Sequence, residues 1–227
     1  MKSEPILRFE GILKRFPGVF ALKGVNFELR EGEVHVLVGA NGAGKSTLVK
    51  VLAGVYQPDA GQIFLDGRPV TMKSPEQAFA LGISIVYQNF NLINKMDVGQ
   101  NVFLHHEPLK GRVLKRIDWK RIYAETQAVL ERLHVDINPR SKIGDLPVAD
   151  MQMVEIAKAL AVQSRILVLD EPTSSLSDQE TEELFRRISQ LKKEGVAILY
   201  ISHRLEEIKR IGDRVTVFRD GVVVGSE

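Results

Sequence analysis

A chain of 227 residues, 44% hydrophobic and 26% charged, is long enough for one large domain or a domain with a subdomain. Its net charge of +2 gives no sign of a nucleic-acid-binding surface, and without cysteine it has neither disulfides nor thiolate chemistry. No signal peptide is visible and no apolar run approaches the roughly 20 residues of a membrane helix, so any membrane role requires a partner chain.

The first part of the chain has the pattern of strands around a glycine-rich loop. Short β-rich runs are predicted at 6–13, 25–30, 34–38 and 83–87, and a helix is predicted to begin at Leu48. Two hairpin signals, Asp66-Gly67 and Asp220-Gly221, lie between short apolar runs. They predict an antiparallel element beside the main sheet.

Residues 89–163 change character and carry mostly helical patterns. Asp118 is placed to cap a helix whose apolar positions are Trp119, Ile122, Tyr123, Thr126, Leu130 and Leu133. A second stripe contains Met153, Ile156, Ala157 and Leu160. The basic stretch 110–121 is interpreted as a solvated helix face or loop. We therefore predict a helical subdomain over 89–163, inserted between 1–88 and 164–227.

The β pattern returns after the helical stretch. Strands are predicted at 166–169 and 196–202, with a helix near 178–193 between them. Strands alternating with helices favour a parallel sheet covered on both faces, and hence an α/β fold.

One segment matches the phosphate-binding P-loop, or Walker A motif: Gly39-Ala40-Asn41-Gly42-Ala43-Gly44-Lys45-Ser46-Thr47. Its glycines let backbone N–H groups surround a polyphosphate, and the helix that follows adds its positive N-terminal end. Lys45 is expected to reach the β- and γ-phosphates, and Ser46 to bind Mg²⁺. The alternative is a glycine-rich turn without function.

Two carboxylates follow the later buried strand. Asp170 lies where a carboxylate can bind Mg²⁺ directly or through water, and Glu171 can act as the general base on the attacking water. The alternative is a capping pair at a strand-to-helix turn.

Five motifs in order resemble the ATP-binding-cassette (ABC) family from about Ile6 to Gly225. They are the P-loop, Tyr87-Gln88, a signature segment in a helical insert, Leu169 to Thr173, and Ser202-His203. The resemblance implies a P-loop NTPase (RecA-like) parallel-sheet core with an antiparallel β subdomain and an inserted α-helical subdomain. It also implies ATP hydrolysis with ATP and Mg²⁺.

The same resemblance implies roles for three further residues. Gln88 would bind Mg²⁺, sense the γ-phosphate and link the core to the helical insert. His203 would contact the γ-phosphate and hold the attacking water with Glu171. Phe16 would stack on adenine, although stacking alone selects adenine weakly. A polar strand end, a structural histidine and a core phenylalanine are the respective alternatives.

Two segments, Phe16-Pro17-Gly18-Val19 and Met153 to Leu160, look similar to the N-terminal cassette of bacterial simple-sugar importers of the ribose, galactose and xylose type. Such ATPases carry two cassettes in one polypeptide. The implied partners are a second cassette, membrane permease subunits and, indirectly, a sugar-binding protein, with no nucleic acid. The implied location is the cytoplasmic face of the bacterial inner membrane, as a peripheral protein.

The signature segment departs from the family pattern. Where the family usually has Leu-Ser-Gly-Gly-Gln, this chain has Leu146, Pro147, Val148, Ala149 and Asp150. Pro147 has no hydroxyl and no N–H, and Asp150 brings a negative charge. In the family this segment contacts the nucleotide held by the opposite cassette, so we expect an asymmetric pair of sites. Ser174 to Ser177 likewise has serine where the family commonly has aspartate.

Three other functions stay open at this point. The first is an importer ATPase with nucleoside or signalling-sugar cargo. The second is an ABC ATPase of translation or DNA repair, which would need a basic surface or nucleic-acid-binding arms. The third is a P-loop small-molecule kinase, which would need an acceptor-binding lid and leaves Gln88, Glu171 and His203 unexplained.

Overall fold

The computed structural model describes residues 4–111, 114–162 and 164–227. The chain divides into two compact units. The first contains residues up to Ile85 together with Arg165–Glu171 and Ile188–Glu227, and the second contains Val86–Ser164 and Pro172–Arg187. The helical stretch predicted over 89–163 therefore lies in the second unit, together with Pro172–Arg187.

The strands within the described residues follow the chain in this order: β1 Pro5–Phe16, β2 Val19–Arg30, β3 Val34–Gly39, β4 Ala60–Leu65, β5 Arg68–Val70, β6 Ile83–Val86, β7 Leu109–Lys110, β8 Arg116–Ile117, β9 Ile166–Asp170, β10 Ala197–Ile201, β11 Arg214–Arg219 and β12 Val222–Ser226. The helices are α1 Lys45–Leu52, α2 Pro75–Ala80, α3 Val98–Val102, α4 Trp119–Arg132, α5 Val148–Ala161, α6 Asp178–Lys193 and α7 Leu205–Ile211. A short 3₁₀ turn covers Ile143–Asp145.

The main sheet has six strands in the order β12-β11-β3-β10-β9-β6. Strand β3 pairs in parallel with β10 and β11, β10 pairs in parallel with β9, and β12 returns antiparallel to β11. Every residue of β10 is buried, as continuous apolar strands of a covered parallel sheet require. The predicted α/β fold with a parallel core is confirmed.

A second, antiparallel sheet has the order β2-β1-β4-β5. Strands β1 and β2 are 12 residues each, longer than the predicted runs 6–13 and 25–30. The hairpin between them turns at Gly18 (φ 81°), and register shifts interrupt the pairing of β1 with β2. Both predicted hairpins are present, with positive φ at Asp66 and Gly67 and at Asp220 and Gly221.

The two sheets of the first unit meet at His35, whose side chain is 1% exposed. Its Nδ1 lies 2.9 Å from the Glu28 carbonyl oxygen, and its Nε2 lies 2.7 Å from the Thr216 hydroxyl. The ring lies against Phe27, with ring centroids 4.5 Å apart. Burial, and next the charge of Arg214, lower the pKa of His35 to about 3. The imidazole is therefore neutral, with Nδ1–H donating to the carbonyl.

The second unit is mostly helical. In α4 the buried positions are Ile122, Thr126 and Leu130, as the predicted stripe requires. Trp119 departs from that prediction: it is 42% exposed and stacks on Tyr123, with ring centroids 6.3 Å apart. It is the first residue of α4 and so lies at the end of the packed face. No helix in the described parts of the chain is long and apolar enough to cross a membrane.

Candidate functional site

The glycine-rich loop connects β3 to α1. A Cβ added at Gly39 would lie 2.4 Å from the Phe218 carbonyl oxygen, so only glycine fits between β3 and β11. Gly44 caps the helix with φ 110°, a conformation that other residues rarely adopt. Helix α1 begins at Lys45, three residues earlier than predicted, because this left-handed glycine ends the loop there.

Lys45 is 7% exposed, and its ammonium group is held inside the loop. Nζ donates to the carbonyl oxygens of Gly39 (2.6 Å) and Ala40 (3.1 Å). A phosphate that binds here would exchange with these carbonyl acceptors. The Gly39 and Ala40 carbonyl oxygens thus hold the ammonium group inside the loop.

The loop also presents donors. In the part of the chain that the structure describes, no hydrogen bond engages the amide groups of Gly42, Gly44, Lys45 or Ser46. These amides follow one another around the loop and into the first turn of α1. An array of N–H groups with a buried ammonium fits a polyphosphate, so the chemistry of the loop suits the phosphates of a nucleotide.

Asp170 ends β9, whose neighbour β10 pairs with β3 in the same parallel sheet. Burial, and next the Glu171 charge, raise the pKa of Asp170, while Lys45 and Lys50 oppose the rise. The Ser46 side chain is exposed at the start of α1. A hydroxyl and a carboxylate are hard oxygen ligands of the kind that Mg²⁺ accepts beside phosphate oxygens and water.

The described residues hold no group of three or more His, Cys, Asp or Glu side chains that could hold a metal ion without further ligands. Mg²⁺ at Ser46 and Asp170 would therefore depend on the nucleotide for most of its ligands.

Glu171 and His203 form a hydrogen-bonded pair, with Glu171 Oε1 3.0 Å from His203 Nδ1. Glu171 has φ 49°, and its N–H donates to the Ile201 carbonyl oxygen at 3.0 Å. Positive φ in a residue with a Cβ is strained, and such residues cluster at functional sites as well as in tight turns. The sequence proposed both residues, and the structure brings them together, with the His203 side chain 62% exposed.

Phe16 ends β1 and is half-buried. Its ring meets Tyr56 in an edge contact, with centroids 5.1 Å apart and planes at 70°. Lys14 Nζ lies 5.6 Å from the Phe16 ring centroid. Tyr56 was missed by the sequence reasoning, although an aromatic residue soon after the P-loop helix was a usable signal. The adenine-stacking role of Phe16 stays a prediction.

Gln88 and the signature segment belong to the second unit. Gln88 follows β6 by two residues and its side chain is exposed, and its assigned role stays a prediction. Pro147 is the N-cap of α5 and makes no side-chain capping bond, while Val148 and Ala149 are the first helical residues. The segment is therefore a helix N-terminus, as the sequence predicted.

Asp150 lies in the first turn of α5 and lines a cavity of about 150 Å³ with Glu180 and Glu183. Burial, and then these two carboxylates, raise the pKa of Asp150. The segment is acidic where a phosphate-binding helix N-terminus would be neutral or basic.

Comparisons with known proteins identify the family to which the chain belongs. Residues 22–174 match the family model described as ABC transporter. The chain is 53% identical over 221 residues to a ribose import ATP-binding protein of Rubrobacter xylanophilus, covering 97% of this chain and 44% of that protein. It is 51% identical over 224 residues to a putative ribose/galactose/methyl galactoside import ATP-binding protein of Burkholderia cenocepacia, covering 99% and 44%. The chain thus spans less than half the length of these curated relatives.

Two solved structures share the fold. One is a nucleotide-free ATP-binding cassette from an ABC transporter, with a TM-score of 0.88, 27% identity, and coverage of 98% of this chain and 91% of that chain. The other is the ADP conformation of an ATP-binding cassette, with a TM-score of 0.87, 27% identity, and coverage of 99% and 91%. Both agree with the family match, and the chain belongs to the ABC transporter family.

Proposed function

We propose that this chain is an ATP-binding and ATP-hydrolysing cassette, the first of a tandem pair, that powers import of a simple sugar through a separate membrane permease. The Glu171–His203 pair carries the proposal: the two residues follow β9 and β10, which lie beside the P-loop strand in the order β3-β10-β9 of the parallel sheet. A glycine-rich turn or a capping pair of carboxylates would need no histidine at 3.0 Å from Glu171.

The geometry supports the following division of labour. The P-loop amides and the Lys45 ammonium bind the phosphates and offset their charge. Glu171 accepts a proton from the attacking water, and His203 holds Glu171 and the water in line with the γ-phosphate. Mg²⁺, when bound by Ser46 and Asp170, would neutralise charge on the phosphate oxygens.

The two halves of the pair would differ. This chain's P-loop would be completed by the signature segment of the second cassette, while Pro147 to Asp150 would face the nucleotide of that second cassette. A missing hydrogen bond to a charged group costs roughly 1.5–3 kcal/mol. The second cassette's site would therefore bind ATP more than it hydrolyses it.

The cargo and the partners follow from the relatives, whose names give ribose, galactose and methyl galactoside import. We extend sugar import to this chain on 53% and 51% identity across nearly its whole length. The permease, the sugar-binding protein and a place on the cytoplasmic face of the membrane belong to the same proposal. Nucleoside or signalling-sugar cargo stays an alternative within it.

The experiment uses the full reading frame that contains this chain. Lys45→Ala is expected to abolish most ATP binding at this site and to stop sugar uptake by cells that depend on the protein, because the phosphates lose their cation. Lys193→Ala, an exposed lysine at the end of α6, is the control. Uptake of labelled ribose, galactose and a nucleoside identifies the cargo class. Normal uptake and binding in the Lys45 variant would refute the proposal.

A further inference from the structure

Glu207 is a buried carboxylate that the mechanism above leaves unused. It is 5% exposed and lies in the first turn of α7, which follows the strand β10. A buried charge is costly unless hydrogen-bond donors surround it. The hydrogen-bond donors around the Glu207 carboxylate therefore indicate which part of the chain it holds.

Donors to this carboxylate come from β10 and from the connection between β10 and α7. The hydroxyls of Tyr200 and Ser202 lie 3.0 Å and 2.6 Å from Glu207 Oε2, and Arg204 Nη1 lies 3.3 Å from Oε1. The Ser202 hydroxyl also accepts the Arg204 amide at 3.0 Å. Since Ser202 has a single hydroxyl hydrogen, it donates to the carboxylate and accepts from the amide.

These hydrogen bonds hold the backbone on both sides of His203. Ser202 and Arg204 are the immediate neighbours of His203, and both are tied to the same carboxylate. His203 itself has an exposed side chain, so packing does little to fix it. The place of its ring opposite Glu171 depends on the backbone that these neighbours hold.

We propose that Glu207 is a positioning residue that holds the Ser202–Arg204 backbone so that His203 Nδ1 meets Glu171. The proposal rests on the proposed ATP hydrolysis. In the neutral imidazole it also sets the tautomer, because the Nδ1 that faces a carboxylate oxygen then carries the hydrogen and Nε2 is the acceptor.

The test is Glu207→Gln in the full reading frame, compared with Glu206→Gln. Glutamine keeps the shape but offers one acceptor where the carboxylate has two, and its amide nitrogen faces donors. A displacement of about 1 Å in a catalytic group can cost about 100-fold, so we expect kcat for ATP hydrolysis to fall about 10- to 100-fold with KM little changed. Glu206 is exposed one residue earlier on α7, and its variant should hydrolyse ATP normally.

The imidazole supplies a readout that a loss of stability would not move. At a pH where the imidazole is neutral, the ¹⁵N shifts of His203 in labelled wild-type protein should show the Nδ1–H form, and in Glu207→Gln they should show a mixture of tautomers. Should Glu207→Gln fail to fold, Ser202→Ala removes one donor to the carboxylate together with the acceptor of the Arg204 amide. It should show the same mixture and a smaller loss of kcat.

Two results would overturn the positioning role: an unchanged kcat in folded Glu207→Gln, or an unchanged His203 spectrum in whichever variant folds. Glu171→Gln separates this failure from failure of the proposed function. If Glu171→Gln leaves hydrolysis intact, the catalytic assignment is wrong. If Glu171→Gln stops hydrolysis while Glu207→Gln does not affect it, only the positioning role is wrong.

Discussion

Helices α1 and α5 begin in similar ways and carry opposite chemistry. Neither has a side-chain capping bond at its N-terminus, so each presents first-turn amides and the positive end of a helix dipole. Helix α1 follows glycines and opens with Lys45, whereas α5 follows Pro147 and carries Asp150 in its first turn. A helix N-terminus alone therefore does not make a phosphate site, because the side chains around it decide the sign of the local charge.

The largest effect is expected from restoring the family's signature sequence at the N-terminus of α5. The change is Pro147→Ser, Val148→Gly, Ala149→Gly and Asp150→Gln in the full reading frame. The serine restores the hydroxyl, the two glycines allow the backbone to approach the nucleotide closely, and the glutamine replaces the charged carboxylate with a neutral amide. ATP turnover at the site that this segment completes should rise about tenfold to 150-fold, the equivalent of roughly 1.5–3 kcal/mol.

Steady-state ATP hydrolysis measures this gain, and Asp150→Gln alone separates the charge from the remaining changes. Each glycine lowers helix stability by about 1 kcal/mol, so circular dichroism must show that α5 remains folded. Unchanged turnover in a folded variant would mean that the altered segment does not limit that site.

Two glycines of the P-loop test how closely this loop approaches the backbone of β2. Gly44 and Gly42 both have positive φ, but a Cβ at Gly44 would lie 2.7 Å from the Ala21 carbonyl oxygen, whereas a Cβ at Gly42 meets nothing within 4 Å. Gly44→Ala should cost about 3 kcal/mol of unfolding free energy and Gly42→Ala about 1 kcal/mol. Urea denaturation measures both, and equal losses would contradict the close approach of the β2 backbone to the loop.

The buried side chain of His35, in the strand β3 that precedes the P-loop, predicts that acid destabilises the folded chain. The pKa of His35 is about 3 in the folded chain and ordinary, about 6.5, in the unfolded chain. The unfolded chain therefore takes up a proton first, and stability falls as the pH drops from about 6.5 towards 3. At pH 5 this loss amounts to about 2 kcal/mol.

Urea midpoints at pH 7.5 and pH 5 measure the effect in wild type and in His35→Gln. Glutamine does not titrate, so its pH dependence should be smaller by the stated amount. Equal pH dependence in the two proteins would show that His35 is free to ionise in the folded chain.

The smallest effect is expected at Asp150. Its pKa is raised in the folded chain by burial and by Glu180 and Glu183, so the folded chain keeps its proton to higher pH than the unfolded chain does. Stability should fall as the pH rises through this range, and Asp150→Asn should gain about 0.5 kcal/mol at pH 7.

Melting temperatures at pH 4 and pH 7 check this sign, with exposed Asp145→Asn as the control. A gain that is equal at both pH values would exclude charge repulsion as its cause.

The sequence patterns predicted the parallel core, both hairpins and the main helices because these elements have strong periodicity or turn chemistry. The short elements α2, α3 and α7 were missed, because a few residues give no periodic signal. Local bonds mark α3 instead: the Asp97 side chain accepts the Gln100 amide, and the Gln100 side chain accepts the Asp97 amide.

At the site, motif spacing predicted which residues belong together on one sheet but not how they are held. The Lys45 bonds to Gly39 and Ala40 and the edge contact of Tyr56 on Phe16 depend on three-dimensional placement. Glu207 could not be assigned from the sequence either, because a glutamate in the first turn of a helix is ordinary helix chemistry until its burial is known.

Glu171→Gln in the full reading frame tests most directly whether this chain supplies the general base for ATP hydrolysis. ATP affinity and steady-state hydrolysis should be measured on the same preparation, with exposed Glu10→Gln as the control. Loss of the general base should reduce hydrolysis by about 100-fold or more while ATP binding is retained, because Lys45 and the P-loop amides are unchanged. Hydrolysis at the wild-type rate in the Glu171 variant would contradict the account.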